Sequence, residues 1–166
     1  MEAWMDALLL TLALPKVGLL SVFVISFVSA TLLPMGSEPA LFGFVSLRPD
    51  LFWVSIAVAT LGNTLGGAVN YGLGFAIKNK GEPYQHWKWV EWLKKIGPKT
   101  LFLSWLPIVG DPLCSVAGWL KMPFWSCVFW MLVGKALRYV LITGLLMQVP
   151  ESFWTGIWGG LLGLMK

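Results

Sequence analysis

Twice in this chain an acid stands between prolines inside an apolar run. The first stretch is Leu33-Pro34-Met35-Gly36-Ser37-Glu38-Pro39, and the second is Leu106-Pro107-Ile108-Val109-Gly110-Asp111-Pro112. Both read Leu-Pro-x-x-x-acid-Pro, with corresponding residues 73 positions apart. Proline removes a helical hydrogen bond and clashes with the preceding turn, so neither stretch continues a helix. The lengths of the flanking runs then decide the fold. Residues 17–33 form a 17-residue apolar run, at the lower limit for crossing a bilayer. Only about eight apolar residues follow before Arg48-Pro49-Asp50. Eight helical residues rise roughly 12 Å, less than half of a hydrocarbon core of about 30 Å. Such an arm can return only from a turn near mid-depth, which makes a re-entrant hairpin. Non-helical backbone is tolerated there where protein or water surrounds it. The alternative has 17–33 spanning and 40–50 as an exposed loop. In the second stretch residues 100–106 descend, 107–112 break and 113–121 return, and neither arm is long enough to span. Pro34, Gly36, Pro39, Pro107, Gly110 and Pro112 mark the expected hairpin tips.

Composition agrees with a membrane setting. Of the 166 residues, 57% are hydrophobic and 12% charged, with mean hydropathy +0.75; a soluble domain carries about 25% charged residues. Many of the 11 Trp stand at the ends of apolar runs, where an amphipathic ring suits the membrane–water interface. The sequence reads as one all-α integral membrane domain over 1–166. Residues 51–77 and 124–146 are long enough to span. The apolar stretches 3–14 and 152–165 are shorter and read as interfacial or packing segments. Glu2 and Asp6 precede the first apolar stretch, and no cleavable signal peptide is expected. Cys114 and Cys127 lie in apolar runs and read as buried free thiols rather than a disulfide.

Between the halves, 78–99 is a basic linker. Its Trp89, Trp92, Leu93 and Ile96 fall at helical spacing, which predicts an amphipathic helix on the membrane face. Residues 78–121 hold seven Lys and no Arg, whereas the opposite side has Lys16 and Arg48. The positive-inside rule puts 78–99 in the cytoplasm. Repeat one (about 17–77) then enters from outside and crosses inward. Repeat two (about 100–146) enters from inside and crosses outward. Each is a re-entrant hairpin followed by a transmembrane helix, the pattern of inverted-repeat transporters. Gly66-Gly67-Ala68-Val69-Asn70-Tyr71 also echoes Gly134-Lys135-Ala136-Leu137-Arg138-Tyr139.

Four ionisable residues fall inside the apolar layer: Glu38, Asp111, Lys135 and Arg138. Each costs about 2.5–3.5 kcal/mol at the centre of an inserted helix, so they are expected to pair or to face a wet cavity. Lys135 and Arg138 are three apart and share a helix face; two cations there, one with a guanidinium fork, suit a phosphate. The residue before a proline at the first helical position is the N-cap. Capping therefore competes with function for Asp111, and explains Glu38 poorly. Desolvation disfavours a charged carboxylate, while a helix N-terminus or a cation favours it; an acid held between these effects is a candidate carrier of protons, with Na+ as the other coupling ion. Asn63 and Asn70, seven apart, either line a polar cavity or bond a neighbouring helix. Gly62 and Gly66 form a GxxxG pair that lets another helix approach.

At these residues the chain resembles the DedA family, also called the SNARE-associated Golgi or VTT domain family, in its short YqaA-like branch. The stretches that carry the resemblance are Ser29 to Glu38, Gly62 to Gly67, Leu103 to Asp111 with Ala117-Gly118-Trp119, and Gly134 to Tyr139. The resemblance implies two opposed re-entrant hairpins and the movement of a lipid with a phosphate headgroup, undecaprenyl phosphate or a phospholipid. It also implies proton coupling, association in dimers and a place in a bacterial inner membrane. By position Glu38 corresponds to the membrane acid and Arg138 to the downstream arginine. Many members carry an arginine in the second hairpin where this chain has Gly110-Asp111; Lys135 is positioned to supply that cation. The expected function is a lipid flippase. Substrate contacts are expected from Arg138, Lys135, Asn63 and Asn70, and coupling from Glu38 and Asp111. An ion or small-solute transporter using the two acids is the second reading, and a membrane scaffold the third. No nucleophile–base pair, metal set or nucleotide loop is present in the sequence, so neither an enzyme, a cofactor, a metal nor a nucleic-acid partner is expected.

Overall fold

The computed structural model describes residues 14–31, 37–77, 88–106 and 109–148. Pro34, Gly36, Pro107, His86 and the terminal apolar segments lie outside the described residues. Every regular element among those described is helical. Helix α1 runs Pro15–Thr31 and opens on Pro15, whose fixed φ suits a first helical position. Helix α2 runs Glu38–Leu47 and ends before Pro49, because the residue preceding a proline avoids helical backbone. A short 3-10 turn, Pro49–Leu51, leads into α3, Phe52–Ile77. Helix α4 is Lys88–Ile96, and Gly97 ends it at φ +77. A 3-10 segment, Gly97–Trp105, precedes α5, Gly110–Trp119, and α6, Phe124–Gln148. Two helices, Pro49–Ile77 and Phe124–Gln148, are long and apolar enough to cross a membrane.

Helix α3 is polar inside and apolar outside. It buries Ser55, Ala59, Asn63, Gly66, Gly67, Asn70 and Gly74, while Leu61, Leu65, Val69 and Leu73 are exposed at every fourth position. A water-soluble helix sorts its residues the other way, whereas small and polar residues at helix contacts are the membrane arrangement.

The glycines on that inner face set the packing. A Cβ on Gly62 would lie 2.6 Å from the Phe23 carbonyl, and one on Gly66 would lie 2.6 Å from the Ala30 Cβ. Successive contacts therefore advance together, and α1 runs parallel to α3. Gly134 of α6 meets the Phe102 carbonyl in the same manner and lies beside Ser104 Oγ, while Phe102 stacks edge-on with Trp130 one turn earlier, so the 3-10 segment runs parallel to α6. The two long helices are antiparallel: Asn63 bonds Tyr139, and Tyr71 meets Phe124 at 5.3 Å between ring centroids. Helix α5 crosses α3 where Gly74 faces the Ser115 carbonyl and Gly118 faces the Tyr71 carbonyl. Helix α5 then closes with bonds from Lys121 N to Gly118 O and from Met122 N to Ala117 O. These satisfy its last carbonyls with Lys121 at φ 55, a position usually taken by glycine.

Gly118→Ala is expected to cost about 1–3 kcal/mol through overpacking against rigid backbone. Gly72→Ala, where a Cβ meets nothing within 4 Å, is expected to stabilise by up to about 1 kcal/mol through helix propensity. Thermal unfolding in detergent reads the contrast; equal shifts would contradict the crossing.

Two sequence readings change with the structure. Asp111 is not an N-cap: α5 begins one residue earlier, at Gly110, and its cap position is Val109. Asp111 therefore sits in the first turn with its carboxylate free to reach another helix. Glu38, for which capping was a poor explanation, is the first helical residue, behind Ser37 at the cap. In α4 the inward face is Val90 and Leu93, which pack with Leu101 and Leu113, whereas Ile96 is exposed. The amphipathic helix expected there is present, and Val90 and Leu93 pack it on the 3-10 segment and α5.

Candidate functional site

Both long helices place their polar residues near their midpoints. Helix α6 turns Lys135, Arg138 and Tyr139 inward, and α3 presents Asn63 opposite them. Helices α2 and α5 each add one acid in the first turn.

The acids meet the cations in matched pairs. Glu38 forms an ion pair with Arg138, the two side chains 13% and 12% exposed. Asp111 Oδ1 accepts from Lys135 Nζ at 3.1 Å. Here burial is unequal, with Lys135 at 2% and Asp111 at 36%. Lys135 also donates to the Asn63 backbone oxygen at 2.7 Å and to Asn63 Oδ1. The other end of that amide, Nδ2, donates to the Tyr139 hydroxyl at 2.8 Å. The Tyr139 hydroxyl shares a hydrogen bond with Ser37 Oγ, next in sequence to Glu38. A polar chain thus runs from Asp111 through Lys135, Asn63 and Tyr139 to Ser37, at the edge of the Glu38–Arg138 pair.

The pairing expected for four buried charges is what the structure shows. Lys135 and Arg138 do not converge on one anion here; each faces its own acid. Asn70 is engaged elsewhere, donating to the Ala30 carbonyl at 2.6 Å, so it ties α1 to α3. Asn63 joins the polar chain instead. Among the tip residues described, Pro39, Gly110 and Pro112 lie within the first turns of α2 and α5 rather than in the turns themselves. Cys114 and Cys127 are free and buried. No group of three His, Cys, Asp or Glu residues is placed to hold a metal among the described residues.

Sequence reasoning assigned no role to Tyr139 or Ser37. The signal for Tyr139 was present in the Gly134-to-Tyr139 echo of Gly66-to-Tyr71. Tyr71 also uses its hydroxyl between elements, donating to the Met122 carbonyl at 2.5 Å. Ser37 carried no signal, since a serine before a helix reads as a cap.

One donor in the site is unused. Arg138 Nε is buried with no hydrogen-bond partner among the described residues. The arrangement can therefore hold two buried cations near the middle of α6, each neutralised by an acid from a different short helix. An anion entering from either side has to displace a carboxylate to reach one of them.

A family model for the VTT domain matches residues 33–148, which include both ion pairs. The chain belongs to the VTT-domain (DedA) family. It is 43% identical over 132 residues to "Inner membrane protein YqaA" of Escherichia coli (strain K12), covering 79% of this chain and 92% of that protein. The protein of the same name from Shigella flexneri matches equally. An uncharacterised Haemophilus influenzae protein is 37% identical over 131 residues, covering 72% of this chain and 82% of its own. No solved structure matches. The VTT-domain chain described here is an inner-membrane protein, with two helices able to cross.

Proposed function

We propose that this VTT-domain protein moves a phosphate-bearing lipid across the inner membrane, by exchange of carboxylate for phosphate at the buried cations. The observation that carries the reading is the two ion pairs near the middle of α6, Glu38–Arg138 and Asp111–Lys135. A membrane segment retains costly charges where they serve a pathway. Arg138 is neutralised while Glu38 is ionised, and it still has a spare donor. Protonation of Glu38 frees the guanidinium for a phosphate, whose fork geometry it matches. Asp111 stands in the same relation to Lys135. One proton and one phosphate then enter together, and the buried charge stays balanced. The starts of α2 and α5 add positive helix ends at the same depth. The short helices stand beside long helices that run in opposite directions, which supports two inverted repeats that open in turn to either side. The basic linker 78–99 then lies in the cytoplasm, and a homodimer is the assembly the family suggests. No covalent step on the lipid is involved.

The test is flip of a fluorescent phospholipid in proteoliposomes, read by dithionite quenching. The expected rate falls at least severalfold in Arg138→Ala, which removes the guanidinium that the phosphate would meet. A rate unchanged in Arg138→Ala would sink the exchange.

A second reading, ion or small-solute transport, draws on the Thr60 and Thr143 hydroxyls. Both are buried within one helical turn of Asn63 and Tyr139 and have no hydrogen-bond partner among the described residues. It requires uptake without lipid substrate that is lost in Asp111→Asn and kept in Lys135→Ala.

A further inference from the structure

Lys135 has no donor to spare. An ammonium carries three N–H groups and no acceptor, and its acceptors here are Asp111 Oδ1, the Asn63 backbone oxygen and Asn63 Oδ1. That contact also fixes which way the Asn63 amide points. Oδ1 faces the ammonium, so Nδ2 is the end that donates to the Tyr139 hydroxyl at 2.8 Å. The phenolic proton then needs an acceptor of its own, because a buried donor left unpaired is costly. The partner bonded to it is Ser37 Oγ. Asn63, Tyr139 and Ser37 are all buried. The hydrogen bonds therefore run one way, from the ammonium to the start of α2, and each polarises the next.

Ser37 shows that the last bond is not incidental. It stands at the N-cap of α2 and makes no side-chain cap bond, although serine is among the residues preferred there for that bond. Its hydroxyl is spent on Tyr139 of another helix instead. Tyr139 follows Arg138 on α6, and Ser37 precedes Glu38 at the start of α2. The bond thus pins the backbone that carries the acid to the backbone that carries its cation. We propose that Tyr139 is a positioning residue that couples the two ion pairs, so that the state of Lys135 reaches Glu38 through Asn63, Tyr139 and Ser37. An anion arriving at Lys135 has to displace an acceptor, since all three donors are used. Where that acceptor is Asn63 Oδ1, the amide turns and Tyr139 loses its donor. Ser37 is then released to cap α2, and Glu38 shifts against Arg138. The consequence for transport, that docking at one cation loosens the acid on the other, rests on the exchange proposed above. The coupling itself belongs to the chain with or without a lipid.

The experiment is thermal unfolding of the full chain in detergent for Lys135→Met, Glu38→Gln and the double variant, in the native background and in Tyr139→Phe. Phenylalanine keeps the ring in the core it shares with Leu41, Phe44 and Val45 and removes only the hydroxyl. The direct field between the two sites is present in both backgrounds, so the non-additivity lost with the hydroxyl belongs to the hydrogen-bond chain. The Tm shift beyond additivity is expected to fall at least twofold in Tyr139→Phe. Ser37→Ala severs the last bond without taking a cap from α2, and is expected to give the same loss; it serves if Tyr139→Phe does not fold. Thr64→Val removes a buried hydroxyl next to Asn63 that has no hydrogen-bond partner among the described residues, and leaves the coupling unchanged. A spectroscopic reading accompanies the cycle: NMR of the chain labelled at the hydroxyl-bearing carbon of its three tyrosines. The Tyr139 resonance, assigned by its absence in Tyr139→Phe, is expected to move in Ser37→Ala and to hold in Thr64→Val. Coupling kept in full in Tyr139→Phe or Ser37→Ala, or lost equally in Thr64→Val, would overturn the proposal. Lipid flip in a native chain without coupling strikes the proposal alone. Coupling in a chain that flips nothing counts against the transport reading alone.

Discussion

Arg138→Ala is expected to lower stability by about 3–5 kcal/mol, the cost of stranding a buried charge, and to stop lipid movement. Both partners of its ion pair are nearly nine-tenths buried. Their surroundings are apolar, with Leu41, Phe44 and Val45 of α2 in the same core as Tyr139. Alanine leaves Glu38 with no counter-charge in that setting. The matched variant Glu38→Gln/Arg138→Met removes both charges and keeps the volume. Replacing a buried pair by apolar groups is often neutral, so this variant is expected to recover most of the loss. Thermal unfolding in detergent over the full double-mutant cycle gives the coupling between the two residues. Additive losses would mean that the pair does not interact energetically. The recovered variant also separates folding from function: it is expected to fold and still fail in the flip assay, because it presents no guanidinium to a phosphate.

The lengths of the apolar runs made the two long helices and the short arms legible in the sequence. A run either reaches across about 30 Å or does not, and 51–77 and 124–146 needed no tertiary knowledge. The need for pairing was legible for a similar reason: four charges in an apolar layer cannot all stay unmatched. Which acid met which cation was not legible. Lys135 and Arg138 are three apart, so a shared anion and two separate partners fit the spacing equally. The choice depends on α5 crossing α3 through Gly74 and Gly118, a contact between distant segments that no local pattern encodes. The capping alternative for Asp111 failed for a smaller reason. Proline is accepted throughout the first helical turn, since those amides lack intrahelical partners, and it dates a helix start only to within a residue or two. Asn63 and Asn70 looked equivalent by periodicity, yet one joins the charged chain and the other ties helices. They differ only in what α1 and α6 bring opposite them.

Asp111→Asn is expected to be more damaging than Lys135→Met, although the two remove the same ion pair. Burial decides the order. Lys135 is 2% exposed and Asp111 is 36% exposed. Asparagine at 111 leaves a buried ammonium with only neutral acceptors, the Asn63 carbonyls among them, at a cost of about 3–5 kcal/mol. Methionine at 135 leaves a carboxylate that water already reaches. Its main penalty is two Asn63 oxygens without their donor, about 1–3 kcal/mol each, offset by no longer desolvating an ammonium. The double variant Asp111→Asn/Lys135→Met is then expected to resemble Lys135→Met alone, and thermal unfolding of all three reads the order. The reverse order would assign the site's stability to the Lys135–Asn63 hydrogen bonds rather than to charge. The flip assay adds an independent reading. If Lys135 docks phosphate, Lys135→Met folds well and moves lipid poorly. If the ammonium only neutralises Asp111, the double variant moves lipid as the native chain does, because the site has lost one charge of each sign and no docking group.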